Sequence, residues 1–292
     1  MGHQFGSKGN EMVSALHRLH HSHSLLTMDA RAALEQFLIE CAMIGIEDVA
    51  TLRRTALQTI AHLQGTAADR GITAAEEKLQ QQWYGSLAVG KPDFSVYGSD
   101  FYLAECWACW IVYSRRHLQH FLSPKSMPPC GIFSDLGVMR RIADLGCGIG
   151  YTCAALRQIF PHAEVVGTNF LATPQSAVAA QLARRFGFKL CEAIEDVGRP
   201  IDFVFASEYF EHIPGPLAHL EEIVVTLQPL AFFIASSFGA RSIGHFDAYQ
   251  VEGRAVSSAL IPRLFNQRLR SLGYRQIKTR LWNQRPAYWK KV

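Results

Sequence analysis

The run Asp144-Leu-Gly-Cys-Gly-Ile-Gly150 sets three glycines at alternate positions between an apolar stretch, Ile142 to Leu145, and a helix starting near Tyr151. Glycine reaches backbone conformations closed to other residues, so Gly146, Gly148 and Gly150 permit a tight turn and a close backbone approach to a ligand. The following helix points its free N–H groups and positive dipole end at the same place. This predicts a small-molecule ligand carrying an anionic group. A second stretch, Ser207-Glu-Tyr-Phe-Glu-His212, ends another apolar segment. His212 titrates near neutrality when unperturbed and is the candidate general base. Glu211 orients it or acts itself; the same pair also suits capping and packing of the next helix. Farther on, His245, Phe246 and Tyr249 form a polar and aromatic set suited to holding a substrate, with Tyr209 beside His212.

A dinucleotide fingerprint needs glycine at position 151, where Tyr151 stands, and no phosphate-loop G-x-x-x-x-G-K-[ST] is present. The spacing Asp144 to Gly150 instead resembles motif I of class I S-adenosylmethionine-dependent methyltransferases. The block Asp202-Phe-Val-Phe-Ala-Ser-Glu-Tyr-Phe-Glu-His-Ile-Pro214, with Leu217-Ala-His-Leu-Glu-Glu222 behind it, resembles the fourth motif of that family. The resemblance runs from about Ile132 to Val292. It implies S-adenosyl-L-methionine as cofactor, with Asp144, Gly146, Cys147, Gly148 and Gly150 at its methionine end. Asn169 stands where the family has an acidic residue for the ribose hydroxyls, followed by Phe170. An amide offers one acceptor oxygen and a carboxylate two, so Asn169→Asp is expected to preserve or improve binding. Glu192 takes the adenine-contact position, with Ala193 and Ile194 adding backbone and apolar contact, and Glu208 points to the cofactor end. The implied activity is direct methyl transfer by alignment, to a small molecule or a nucleic acid. The alternatives are transfer of another group from a related sulfonium, motivated by Asn169, and a non-catalytic cofactor-binding protein whose helical part docks a partner.

The elements that must position these residues follow from periodicity. Beyond a proline-rich segment, Ser123 to Pro129, apolar strands alternate with helices. Strands are expected at Ile142–Leu145, Glu164–Gly167, Phe188–Cys191, Asp202–Ala206 and Leu230–Ser236, then Tyr274–Trp282 and Ala287–Lys291 around Asn283-Gln-Arg-Pro286. A loop is expected over Phe238–Val256. The pattern predicts an α/β, Rossmann-like, doubly wound, mostly parallel sheet. The resemblance adds an antiparallel C-terminal hairpin. Residues 29–122 read as an all-helical domain, with stripes Ala33, Phe37, Cys41, Ile44 and Leu52, Ala56, Ile60, Leu63, and a third helix from about Thr73 to Tyr84. An aromatic-rich helix follows, capped at Ser99 or Asp100, in which Trp107 and Trp110 either pack on the second domain or belong to a substrate lid. Cys106 and Cys109 read as core thiols. The organisation is thus a flexible 1–28, a helical 29–122, a linker 123–131 and a catalytic 132–292.

No metal site is expected: His17, His20, His21 and His23 lack accompanying cysteines or carboxylates. Seven cysteines without disulfide spacing point to a reducing, cytoplasmic protein, and no apolar run approaches the roughly 20 residues of a membrane span. From Gly253 to Val292 there are ten Lys or Arg and no Asp or Glu, leaving 19 basic against 25 acidic residues elsewhere. A basic tail on an acidic body predicts an anionic partner, nucleic acid among the candidates, or a solvated basic face.

Overall fold

The computed structural model of the chain describes residues 25–66, 74–122, 139–278 and 286–292. The four amino-terminal histidines, the expected linker 123–131 and the end of the strand expected to reach Trp282 lie outside the described residues.

Seven strands form one sheet in the order β3-β2-β1-β4-β5-β9-β8. They are β1 Arg141–Asp144, β2 Glu164–Thr168, β3 Lys189–Cys191, β4 Phe203–Ser207, β5 Ala231–Ala235, β8 Tyr274–Ile277 and β9 Ala287–Lys291. The first five pair in parallel; β9 joins β5 antiparallel and closes a hairpin with β8. Strand order reverses at β1, which is flanked by both β2 and β4, so the crossovers leave on opposite sides and open a crevice beyond the strand ends. The strands agree with the sequence expectation to within a residue or two, apart from β8, which the described residues carry only to Ile277.

Side-chain alternation splits the core in two. Ile142, Phe203, Phe205 and Phe233 face one layer, where Leu156, Val178 and Leu182 of the helices Tyr151–Ile159 and Pro174–Phe186 pack. Ala143, Val204, Ala206 and Phe232 face the other, against Leu220, Ile223, Phe265 and Leu269. The helical part shares both cores. Phe37, Leu52, Ala56 and Trp107 continue the first, and Trp83, Val96 and Tyr97 continue the second. Trp107 stacks on Phe37 with ring centroids 5.5 Å apart and is fully buried, so it packs. Among the described residues no helix is long and apolar enough to cross a membrane.

One expectation fails. Residues 238–256 are not all loop: Ala248–Val251 and Arg254–Ser257 form a second, two-stranded sheet, β6 and β7. Its two-residue turn, Glu252-Gly253, has φ of 50° and 76°, as the tightest hairpin turns require. The signal was a lone Glu-Gly between short half-apolar runs.

Gly150 caps the helix Tyr151–Ile159 with φ of 80°. A Cβ there would sit 3.0 Å from Ala179 Cα and Cβ and 3.1 Å from Phe188. We expect Gly150→Ala to cost about 2 kcal/mol or more, from the left-handed backbone and overpacking together, read as a lowered midpoint in urea unfolding.

Candidate functional site

A cavity of about 400 Å³ opens at the carboxyl ends of β1, β2 and β4. Its floor is the glycine loop. Gly146 N–H donates to Thr168 Oγ1 at 3.0 Å, and Cys147 N–H donates to the Thr168 carbonyl at 2.9 Å, so β2 fixes the turn. Gly146 has φ of 65°, and a Cβ on it would lie 2.5 Å from the Tyr209 ring. Tyr209 is held there by a chain from its hydroxyl to His219 Nε2 and from His219 Nδ1 to Glu222, each 2.7 Å.

Asp144, Gly146, Cys147, Gly148, Asn169, Phe170, Glu192, Glu208, Tyr209, His212 and His245 all line this cavity. The remaining expected residues stand outside its wall. Gly150 is spent on the helix turn against Ala179. Ala193 is exposed, and Ile194 packs with Val197 and Ile201 in the core. Phe246 meets Trp83 edge to face at 5.3 Å, and the Tyr249 hydroxyl donates to the Glu211 carbonyl at 3.0 Å. Both aromatics are buried behind the wall: Tyr249, on the β6–β7 hairpin, packs on Phe238, and Phe246, just before the hairpin, packs between Trp83 and Tyr249. Glu211 is fully buried, and its Oε1 accepts from Ser237 N–H at 2.8 Å.

Asn169 departs from the expected use. Its Nδ2 donates to the Gly148 carbonyl at 2.6 Å, tying β2 to the glycine loop. A carboxylate at 169 has no proton for that bond and would face the carbonyl oxygen instead. The loss of that bond weighs against the expectation that Asn169→Asp preserves binding.

The far wall comes from the helical region, which the sequence offered as an aromatic-rich helix whose Trp107 and Trp110 either pack on the second domain or belong to a substrate lid. Asp100–Cys109, the π-helical turn Trp110–Ser114 and Arg115–Leu122 run on one from another, with Ser99 as N-cap. Tyr97, in the turn just before it, and Tyr102, Glu105, Cys106, Cys109 and Trp110 from this stretch reach the cavity. The two cysteines thus face the cavity as well as each other's helix turn, and burial pushes both thiols up, so they stay protonated. Ser114 Oγ meets Ser207 Oγ at 3.3 Å, joining the wall to the end of β4. Among the described lining residues there is no Lys or Arg.

The electrostatics follow from enclosure. Burial drives Asp144 up to about 7, partly offset by a hydrogen bond from Cys153 Sγ. His212 lies edge to face with His245 at 4.7 Å, and its Nδ1 is 3.1 Å from the Tyr97 hydroxyl. Burial first, and then the neighbouring His245 imidazole, hold it well below the ordinary histidine range, so it is neutral with Nε2 as its remaining ring nitrogen. Glu208 has φ of 53°, an uncommon backbone for a non-glycine residue and one that clusters at functional sites.

A family profile described as a methyltransferase domain matches residues 110–284. Trans-aconitate 2-methyltransferase of Rhodopseudomonas palustris (strain BisB18) is 33% identical over 93 residues, which cover 31% of this chain and 35% of that enzyme. The match therefore spans about a third of the relative's length. Among solved structures, the apo S-adenosylmethionine-dependent methyltransferase SibL aligns at TM-score 0.44 and 15% identity, over 81% of this chain and 74% of that one. Magnesium protoporphyrin IX methyltransferase of Synechocystis PCC 6803, with bound SAM, aligns at 0.38 and 13%, over 74% and 90%.

Glu105 carries a prediction. Its Oε2 is enclosed without a partner, and burial, reinforced by Glu76, raises it from 4.5 to about 8 despite a bond with Ser242. The folded state therefore binds a proton that the unfolded chain gives up above 4.5. Stability from this group is full below that point and is lost as pH rises through about 8. Glu105→Gln should be more stable than wild type by up to about 5 kcal/mol at about pH 9, with the gap closing near pH 5, in thermal unfolding followed by circular dichroism.

Proposed function

Since the chain belongs to the methyltransferase-domain family, we propose that it transfers a methyl group from S-adenosyl-L-methionine to a small, uncharged acceptor enclosed in the cavity. The carrying observation is the glycine loop at the strand-order reversal, opening into a cavity that an aromatic wall closes from the other side.

The residues present fit the cofactor. The loop from Gly146 to Gly148 and the N-terminus of the helix Tyr151–Ile159 suit its carboxylate end. Asn169 keeps its oxygen for a ribose hydroxyl once its nitrogen is committed to Gly148. Glu192, at the end of β3, suits the adenine amine. When bound, the cofactor supplies an activated methyl group on a sulfonium, so the protein has only to align the acceptor and manage its proton. His212 receives that proton at Nε2, and Tyr97 fixes the ring through Nδ1. Tyr97, Tyr102 and Trp110 exclude water and offer flat apolar surface to the acceptor. With no Lys or Arg among the described lining residues, an acidic acceptor finds no counter-charge there, which favours a hydroxyl or amine on a neutral molecule.

Nucleic acid is the weaker acceptor. The basic carboxy-terminal region spends part of its charge internally: Arg268 pairs with Glu221 and Glu252, Arg270 lies over Trp289 and Lys291 over Tyr274. The cytoplasmic reading rests on free thiols, six of them among the described residues.

Calorimetry should show saturable binding of S-adenosylhomocysteine, and methyl-labelled cofactor should label a fraction of a neutral metabolite extract; binding of neither cofactor form would overturn the reading. His212→Gln should slow transfer about 100-fold with cofactor affinity kept. Asn169→Asp should weaken S-adenosylhomocysteine binding about tenfold through the lost loop bond; unchanged or tighter binding would restore the simple ribose role. Filter binding of RNA and DNA should give no retention at about 50 mM salt.

A further inference from the structure

Folding gathers a donor set that sequence spacing did not reveal. Glu208, Glu211 and His245 each bring one donor atom within 4.8 Å of the other two. Glu208 follows β4 and His245 follows β5, and both line the cavity. Glu211 stands directly behind, its carboxylate bonded to the backbone of the lining residue Ser237.

Two further observations point to a ligand here. Glu211 is fully buried, with Oε1 taking the Ser237 N–H at 2.8 Å and Oε2 enclosed without any partner. An enclosed carboxylate oxygen with nothing bound is costly, and a cation removes the cost. His245 Nδ1 lies 2.8 Å from the Ala240 carbonyl oxygen, so Nδ1 carries the proton and donates it. Nε2 then holds the lone pair, the tautomer by which a second partner orients a metal-binding imidazole. The ring's backbone is pinned as well: Trp83 Nε1–H donates to the His245 carbonyl at 2.7 Å.

We propose that Glu208, Glu211 and His245 bind a divalent cation in the cavity wall, and that its open positions take oxygens of the acceptor. A mixed nitrogen and oxygen set suits Mn²⁺, Fe²⁺ or Zn²⁺ and disfavours Ca²⁺, which takes oxygen ligands. Two carboxylates balance the ion's charge, so a neutral acceptor remains the fitting partner. Three protein ligands leave room for two adjacent acceptor oxygens, which narrows the substrate class to vicinal diols and hydroxy-carbonyl compounds. The ion's presence is independent of the methyl-transfer reading; its part in holding the acceptor rests on that reading.

The test titrates Mn²⁺ into the full chain and follows free Mn²⁺ by electron paramagnetic resonance, with Zn²⁺ as competitor. One saturable site is expected, and Glu211→Gln and His245→Gln should each weaken it at least about tenfold. Glutamine at 211 keeps an oxygen for Ser237, and thermal unfolding reports whether each variant folds. Pulsed resonance on wild type should also show coupling from a single imidazole nitrogen, which needs no variant. Absence of a saturable Mn²⁺ or Zn²⁺ site, absence of the nitrogen coupling, or unchanged affinity in both folded variants overturns the proposal. S-adenosylhomocysteine calorimetry on the same samples keeps the two readings apart. Cofactor binding without a metal site sinks this inference alone; a metal site without cofactor binding sinks the methyl-transfer reading and leaves the ion in place.

Discussion

Everything at the site depends on one constraint of sheet topology: from β1 the strand order runs outward to both sides, through β2 to β3 and through β4 to β5. Its outgoing chain can cover only one of them, and the other face is reached from β4. The strand ends therefore part at the reversal, and the space between them must be lined by loops. The glycine loop fits because its backbone turns where side chains would collide, Gly146 beneath Tyr209 and Gly150 beneath Ala179. Thr168 and Asn169, both from the end of β2, then lock it by hydrogen bonds. The loop is thus held by its neighbour strand and not by its own composition.

Closure is costly in polar groups. Glu105, Glu211 and Asp144 all sit where water is scarce, and each meets that cost differently. Asp144 and Glu105 hold their protons to higher pH than ordinary carboxylates. Glu211 receives backbone N–H from Ser237 on one oxygen only. Such half-satisfied carboxylates are poor choices for stability alone. Their concentration around one cavity marks it as the functional part of a molecule whose other core positions are overwhelmingly apolar.

Local chemistry made much of this legible in the sequence. Alternate glycines after an apolar run located the loop, and strand–helix alternation gave the sheet, because both signals lie within a few residues. Residues brought in from a distance were not legible. Tyr97 meets His212 across more than a hundred positions, and Trp83 fixes His245 across still more. Phe246 and Tyr249 looked like substrate contacts because aromatic type alone does not tell a wall from what is behind it; the hairpin that buries them was read as loop. Asn169 was placed correctly at the end of β2, yet its donor nitrogen mattered where its acceptor oxygen had been weighed. Glu211 and His245 were both noticed, but in different roles, since only the fold brings their donor atoms together.

The π-helical turn at Trp110–Ser114 corrects a phase error. Cys106, Trp110 and Ser114 are spaced by four and all reach the cavity. On an unbroken α-helix each such step overshoots a full turn by roughly 40°, so the third residue would have rotated well off the face. The wider i→i+5 turn takes back part of that drift and keeps the three in line. The wall therefore behaves like a geared shaft with one adjustable tooth. The turn holds one residue more than an α-helical turn, so removing a residue there would restore the α-helix with the bearings of both flanks nearly unchanged and one side chain fewer on the wall. A one-residue length change at this turn therefore alters which side chains meet the cavity without any substitution in the glycine loop.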